Sequence, residues 1–139
     1  MQIKINSDIV NTMHKQLLRS MLHKLKSKGA EYADIRWVRS QHENISVFNQ
    51  NVENLSTHID EGYGIRVLYN GALGFACGSI FKDEEIEKNI KLAIEIARSS
   101  SAINKEKVIY PAYPAVHASY ASSFELDPFE VSQDTKLHY

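Results

Sequence analysis

Apolar residues recur in this sequence with two periods, and the changes of period divide it into elements. Val10, Met13, Leu17, Met21 and Leu25 stand three and four apart, and Ile9, Leu18 and Leu22 widen the stripe. That spacing predicts an amphipathic helix. Asn6 or Ser7 can cap its start, Asp8 suits the positive end, and Gly29 behind Lys28 marks its stop. From Ala30 the period falls to two. Ala33, Ile35 and Trp37 alternate with Asp34, Arg36 and Val38, the signature of a strand. A polar break at Ser40-Gln41-His42 leads to Ile45, Val47 and Phe48. Asn49-Gln50-Asn51 reads as a turn, and Val52, Leu55 and Ile59 suggest a further strand closed by Asp60-Glu61-Gly62.

The strongest local signal follows. Ile65, Val67 and Tyr69 alternate with Arg66, Leu68 and Asn70. Asn70-Gly71 is a dipeptide that tolerates φ > 0 at both centres of a type I′ turn. Ala72 to Cys77 then return as the partner strand. A second helix is predicted from Asp83 to Ser99, with Ile86, Ile90, Ala93, Ile94 and Ala97 as its stripe and Leu92 and Ile96 extending it. Asp83, Glu84 and Glu85 complement its positive end. Glu84/Lys88 and Glu87/Lys91 are i, i+4 pairs in the favourable order. Ser99-Ser100-Ser101 is expected to end it.

These elements imply an α+β domain over residues 1–104: an antiparallel β-meander of about four or five strands with two amphipathic helices packed on one face. Tyr110-Pro111-Ala112-Tyr113-Pro114 cannot continue a helix. Residues 105–139 read as an extended connector over 105–127, pinned by Tyr110, Tyr113 and Tyr120, and then the start of a helix capped by Ser132. The C-terminus is expected to be a cut through a longer architecture.

Composition narrows the function classes. A length of 139 residues, 43% hydrophobic and 24% charged, is ordinary for a globular protein. The net charge of -1 argues against a general polyanion binder, although residues 1–40 carry eight Lys/Arg against three acids. That excess, at Lys15, Arg19, Lys24, Lys26 and Lys28, reads as a solvated helix face. Cys77 is the single cysteine, so no internal disulfide forms. It is expected as a small buried hydrophobe in a reducing compartment. No run has the length of a membrane span or a signal peptide core, and a cytoplasmic location is expected.

Candidate chemistry is sparse. His42-Glu43 begins like a zincin motif, but Asn44, Ile45, Ser46 and Val47 follow, with no second histidine at metal spacing. It reads as a polar turn. The glycines at 62, 64, 71, 74 and 78 match no phosphate-binding loop. Asp60 and Glu61 are adjacent carboxylates that a strand would turn to opposite sides. His14 and His23 share no face in the manner of a metal pair, and His58, His117 and His138 have no partner at ligand spacing. Arg66 is the notable residue: an arginine in an apolar strand points to solvent, to a structural carboxylate partner, or to a substrate carboxylate.

Glu61-Gly62-Tyr63-Gly64-Ile65-Arg66-Val67-Leu68, followed by Gly71-Ala72-Leu73-Gly74-Phe75-Ala76, resembles the E-G-x-G-x-R-V … G-x-x-G-F-A signature of the TldD/PmbA family. The acidic helix ending Ala93-Ile94-Glu95-Ile96-Ala97-Arg98, the stretch Ala30-Glu31-Tyr32-Ala33-Asp34 and the late Asp127-Pro128 agree with it. Members of that family are described as modulators of DNA gyrase and as zinc-dependent peptidases. They have an N-terminal α+β domain and a larger β-rich C-terminal domain, and they form dimers. The resemblance implies that this chain is the N-terminal domain alone. The family's H-E-x-x-x-H motif has no match here, so no catalytic residue, cofactor site or zinc ligand carries over. Glu61, Gly62, Gly64, Arg66, Gly71, Gly74 and Phe75 carry over as signature residues with a structural or interface role. The implied partners are a family protomer, in a homo- or hetero-dimer, and unfolded peptide. Membrane and nucleic acid are not implied. The alternative is a stand-alone protein- or peptide-binding module without enzymatic activity.

Overall fold

The computed structural model describes residues 7–111, 114 and 116–138, with side chains from residue 13 onward. The expected cap Asn6 and the pinning residue Tyr113 lie outside the described residues. The element order is α1 (Ser7–Ser27), β1 (Tyr32–Phe48), β2 (Asn51–Tyr69), β3 (Ala72–Gly78), α2 (Asp83–Ile103) and α3 (Gln133–Leu137).

Helix α1 ends as its sequence dictates. Gly29 takes φ +89°, its N–H donates to the Lys26 carbonyl, and the Ala30 N–H reaches back to Leu25. This 6→1 and 5→2 pair is a Schellman ending, which satisfies carbonyls the helix leaves open. The sheet has three strands in the order β1-β2-β3, not the four or five that the pattern suggests. The polar stretch Ser40-Gln41-His42 lies inside β1, and Asp60-Glu61-Gly62 lies inside β2. A hydrogen-bonded ladder carries a strand through polar side chains, so loss of apolar alternation there is not a break. His42-Glu43 is accordingly strand and not turn. The two reversals are real turns. Asn49 and Gln50 have φ of 47° and 62°, and Asn70 and Gly71 have 45° and 74°, the left-handed pairs a type I′ hairpin requires.

Helix α2 runs four residues past Ser99, through all three serines, to Ile103. The Ser101 hydroxyl donates to the Arg98 carbonyl within the helix, so these polar residues do not stop it. Ile86, Ile90, Ala93, Ile94 and Ala97 are buried against Ile65, Val67 and Ala76, and Met21 and Leu25 of α1 close the same core. Each fully buried large side chain contributes about 1.5–3 kcal/mol. Glu87 pairs not with Lys91 but with α1, at 3.1 Å from Lys28 and 3.5 Å from Lys24. The α1–α2 contact is thus apolar within and ionic at the rim.

The described residues fall into two compact units: those within Met1–Ser40 and Ile59–Tyr110, and those within Gln41–His58 and Pro111–Tyr139. The first holds the core. In the second, α3 begins at Ser132, whose hydroxyl accepts the Thr135 N–H as the sequence predicts. Lys136 of that helix forms an ion pair with Glu43.

Candidate functional site

Strand alternation sends the residues of β2 and β3 to two faces with different uses. In the antiparallel register Val67 lies opposite Gly74, Ile65 opposite Ala76, and Tyr63 opposite Gly78. This row faces the helices. Gly74 is where α2 crosses. A Cβ there would stand 2.0 Å from the Ala93 carbonyl oxygen and 2.7 Å from the Ala97 nitrogen. The helix backbone lies directly on the strand, and only glycine leaves room.

Glu61 belongs to the helix-facing layer. The Trp37 indole donates to Glu61 Oε1 at 2.8 Å, and His14 Nε2 lies 3.1 Å from the same oxygen. The His14 and Trp37 rings stack at 4.2 Å, and Phe81 meets His14 edge-on at 5.8 Å. Tyr63 packs on Phe81 and accepts from Asn89 through its hydroxyl. One carboxylate therefore joins α1, β1 and β2. No local pattern announces this contact, because His14, Trp37 and Glu61 are far apart in the chain and share no motif.

The opposite face, turned away from α1 and α2, carries Gly64 opposite Cys77 and Arg66 opposite Phe75. With Asp34, Arg36 and Val38 of β1 these line a groove of about 720 Å³ that runs on past Gly62 and Gly78 to Ser79. The Phe75 ring lies across Gly64, 3.3 Å from where a Cβ would be, so the bare backbone of β2 is covered by an aromatic edge. Cys77 is exposed here, a correction to its expected burial: its odd position in β3 places it on the outer face.

Arg66 settles on a structural partner. Its Nε donates to Asp34 Oδ2 at 2.6 Å, and its Nη2 lies 2.6 Å from the same oxygen. The hydrogen bond and charge of Asp34 raise the Arg66 pKa further above its ordinary value, so the guanidinium is a fixed cation. Tyr110 lies beside it, 5.8 Å from ring centre to guanidinium carbon, and stacks on Tyr32 at 4.5 Å. Arg36 stands on the other side of Asp34, 3.9 Å from Oδ1. At the hairpin turn, Asn70 accepts from Lys107, its N–H donates to Glu31, and the Gly71 carbonyl takes the Val108 N–H. Gly71 therefore serves the turn and docks the chain beyond α2. Of the signature residues, Gly62, Gly64, Arg66 and Phe75 meet at the groove, while Glu61, Gly71 and Gly74 hold the fold. Among the described residues no three His, Cys, Asp or Glu side chains converge as metal ligands, and no helix is long and apolar enough to cross a membrane.

Comparison with known proteins agrees with this arrangement. Residues 33–97 match the family model for PmbA/TldA metallopeptidase domain 1. A metalloprotease of Methanocaldococcus jannaschii is 30% identical over 115 residues, covering 83% of this chain and 25% of its own length. A zinc metalloprotease TldD homolog of Saccharolobus solfataricus is 35% identical over 69 residues, or 50% of this chain and 15% of that protein. Among solved structures, a proposed modulator of a DNA gyrase from Thermotoga maritima superposes with a TM-score of 0.68 at 14% identity, over 90% of this chain and 27% of that one. TldE from Thermococcus kodakarensis gives 0.66 at 22% identity, over 87% and 27%. The two structures speak to the fold alone. The chain spans about a quarter or less of the length of the curated relatives it matches.

Proposed function

Because the chain belongs to the TldD/PmbA family, we propose that it serves as the non-catalytic N-terminal domain of a cytosolic zinc metalloprotease of that family. In this reading it contributes to dimer assembly and to the admission of unfolded peptide. The observation that carries the reading is the family match over residues 33–97, which takes in β3, α2 as far as Ala97 and all of the groove-lining residues. Strand β3 is an edge of the sheet, so an extended peptide can pair with it through main-chain hydrogen bonds. The groove beside it has an apolar wall and a backbone floor. Zinc is named for one relative. The described residues do not fit it, since His42-Glu43 lies in an extended strand and no third ligand approaches. No step of hydrolysis is assigned to them.

The test uses the purified chain with zinc and an unfolded casein-like substrate. The expected result is binding of labelled unfolded peptide, with neither cleavage nor stoichiometric zinc. Chelator-sensitive cleavage would overturn the non-catalytic role, and absence of peptide binding would overturn the role in admission.

A further inference from the structure

The sheet face turned away from α1 and α2 sets apolar side chains beside two cations, and the two cations are not equally engaged. Asp34 Oδ2 accepts from Arg66 Nε at 2.6 Å and lies 2.6 Å from its Nη2. Its Oδ1 lies 3.9 Å from Arg36 Nε, beyond hydrogen-bond range. Two guanidinium groups therefore share one carboxylate, and Arg36, with its side chain 76% exposed, keeps its donors for something else. Beside this excess positive charge stand Phe75, 58% exposed, and Val38, 57% exposed. Phe75 lies directly opposite Arg66 in the ladder. Residues directly opposite one another stand about 4.5–5.5 Å apart, and same-side residues of an extended chain, two positions apart, about 6–7 Å.

We propose that this groove binds an extended peptide segment that carries an internal glutamate or aspartate close to an apolar side chain, with Arg36 as the recognising cation and Phe75 and Val38 as the apolar wall. The inference rests on the reading that unfolded peptide passes this domain, and it names the class of peptide held. Charge complementarity selects the ligand: a guanidinium with free donors favours a planar carboxylate over an ammonium or a neutral amide. Arg66, locked on Asp34, sets the field and the geometry without needing to let go of its partner. The groove runs along the strands past Gly62 and Gly78, so a chain can lie through it without ending there. A side-chain carboxylate therefore suits it better than a C-terminus.

The test is fluorescence anisotropy with two labelled, C-terminally amidated nonapeptides of glycine and serine. Each has one leucine, and two residues on one has glutamate and the other glutamine. The glutamate peptide is expected to bind about fivefold tighter, the difference between a charged and a neutral hydrogen bond, and the preference should shrink as salt is added. Arg36→Gln should erase the preference while leaving the circular dichroism spectrum unchanged. Phe75→Ala should weaken both peptides alike. Equal binding of both peptides would overturn the carboxylate specificity and leave peptide admission standing. Binding of neither would overturn both. A preference that survives Arg36→Gln would overturn the assignment of the cation. A concentration-dependent dimer in sedimentation that Phe75→Ala disrupts and the peptides do not displace would show that a second copy of the chain occupies the face, and would overturn the proposal.

Discussion

Gly74 and Gly64 are both glycines of one hairpin, yet a methyl group would meet different obstacles at each. At Gly74 it would meet the backbone of α2, at 2.0 Å from the Ala93 oxygen. Backbone in a helix cannot yield locally, so the helix must lift off β3 or the strand must bend. Gly74→Ala should therefore cost at least about 1–3 kcal/mol. At Gly64 the obstacle is the end of the Phe75 ring at 3.3 Å, a side chain with open solvent beside it. Gly64→Ala should leave stability within about 0.5 kcal/mol while shifting Phe75. Thermal melts of the two variants check the pair: the first should lose several degrees and the second almost none. Equal losses would show that the glycines matter for strand conformation and not for the close approach of α2.

Among the elements, the two helices are joined by an ionic contact whose pH dependence has a definite sign. The hydrogen bond from Lys28, followed by the charges of Lys28 and Lys24, holds the Glu87 carboxyl below its ordinary value, against the opposing effect of burial. The folded state thus takes up this proton less readily than the unfolded chain. The stabilisation is present above the ordinary glutamate value of 4.5 and is lost as pH falls through the lower folded value. Glu87→Gln should cost about 0.2–1 kcal/mol at pH 7, and the gap from the unaltered chain should close at a pH well below the ordinary glutamate value. Melts at the two pH values decide it. A gap that persists in acid would mean that Gln fails to pack as Glu does and that the charge is incidental. This contact also shows what could be read in the sequence. The stripes Met21–Leu25 and Ile86–Ala97, the Gly29 stop, the Asn70-Gly71 turn and the Ser132 cap are set by near neighbours, and all stand where the spacing put them. On spacing alone, Glu87 pairs with Lys91 of its own helix. It chose Lys28 instead, because tertiary packing brought α1 alongside. Strands β1 and β2 run on unbroken for the related reason that the ladder, not the side chains, carries a strand through Ser40–His42 and Asp60–Gly62. The groove was half legible: alternation could place Gly64 and Arg66 on one face, but nothing in the sequence joined them to Asp34, Arg36 and Phe75. The Glu61 contact with Trp37 and His14 had no local signal at all.

The whole molecule divides its burial unevenly, and that has a dynamic consequence. Every buried residue of the core belongs to the first unit: Met21, Leu25, Ile65, Ile86, Ile90 and Val67 are its largest fully buried side chains. No described residue of the second unit is buried, and its one helix has five residues, too few to persist by propensity alone. The cooperative free energy of unfolding must then reside in the first unit, while backbone bonds in the second open without disturbing that core. Native-state hydrogen exchange should show this directly. Amides of Ile86–Ala97 and of Ile65–Val67 should exchange only through global unfolding, with protection that falls in step with added denaturant. Amides of Gln133–Leu137 and of 51–58 should exchange far faster, at a rate that low denaturant barely changes, because local opening exposes little new surface. Replacing Ile90 by Ala, at a cost of about 2–5 kcal/mol, should speed the first set and leave the second where it was. Protection of residues 133–137 that falls together with that of α2 would instead make the two units one cooperative body, and would move the seat of stability from the buried cluster to the molecule as a whole.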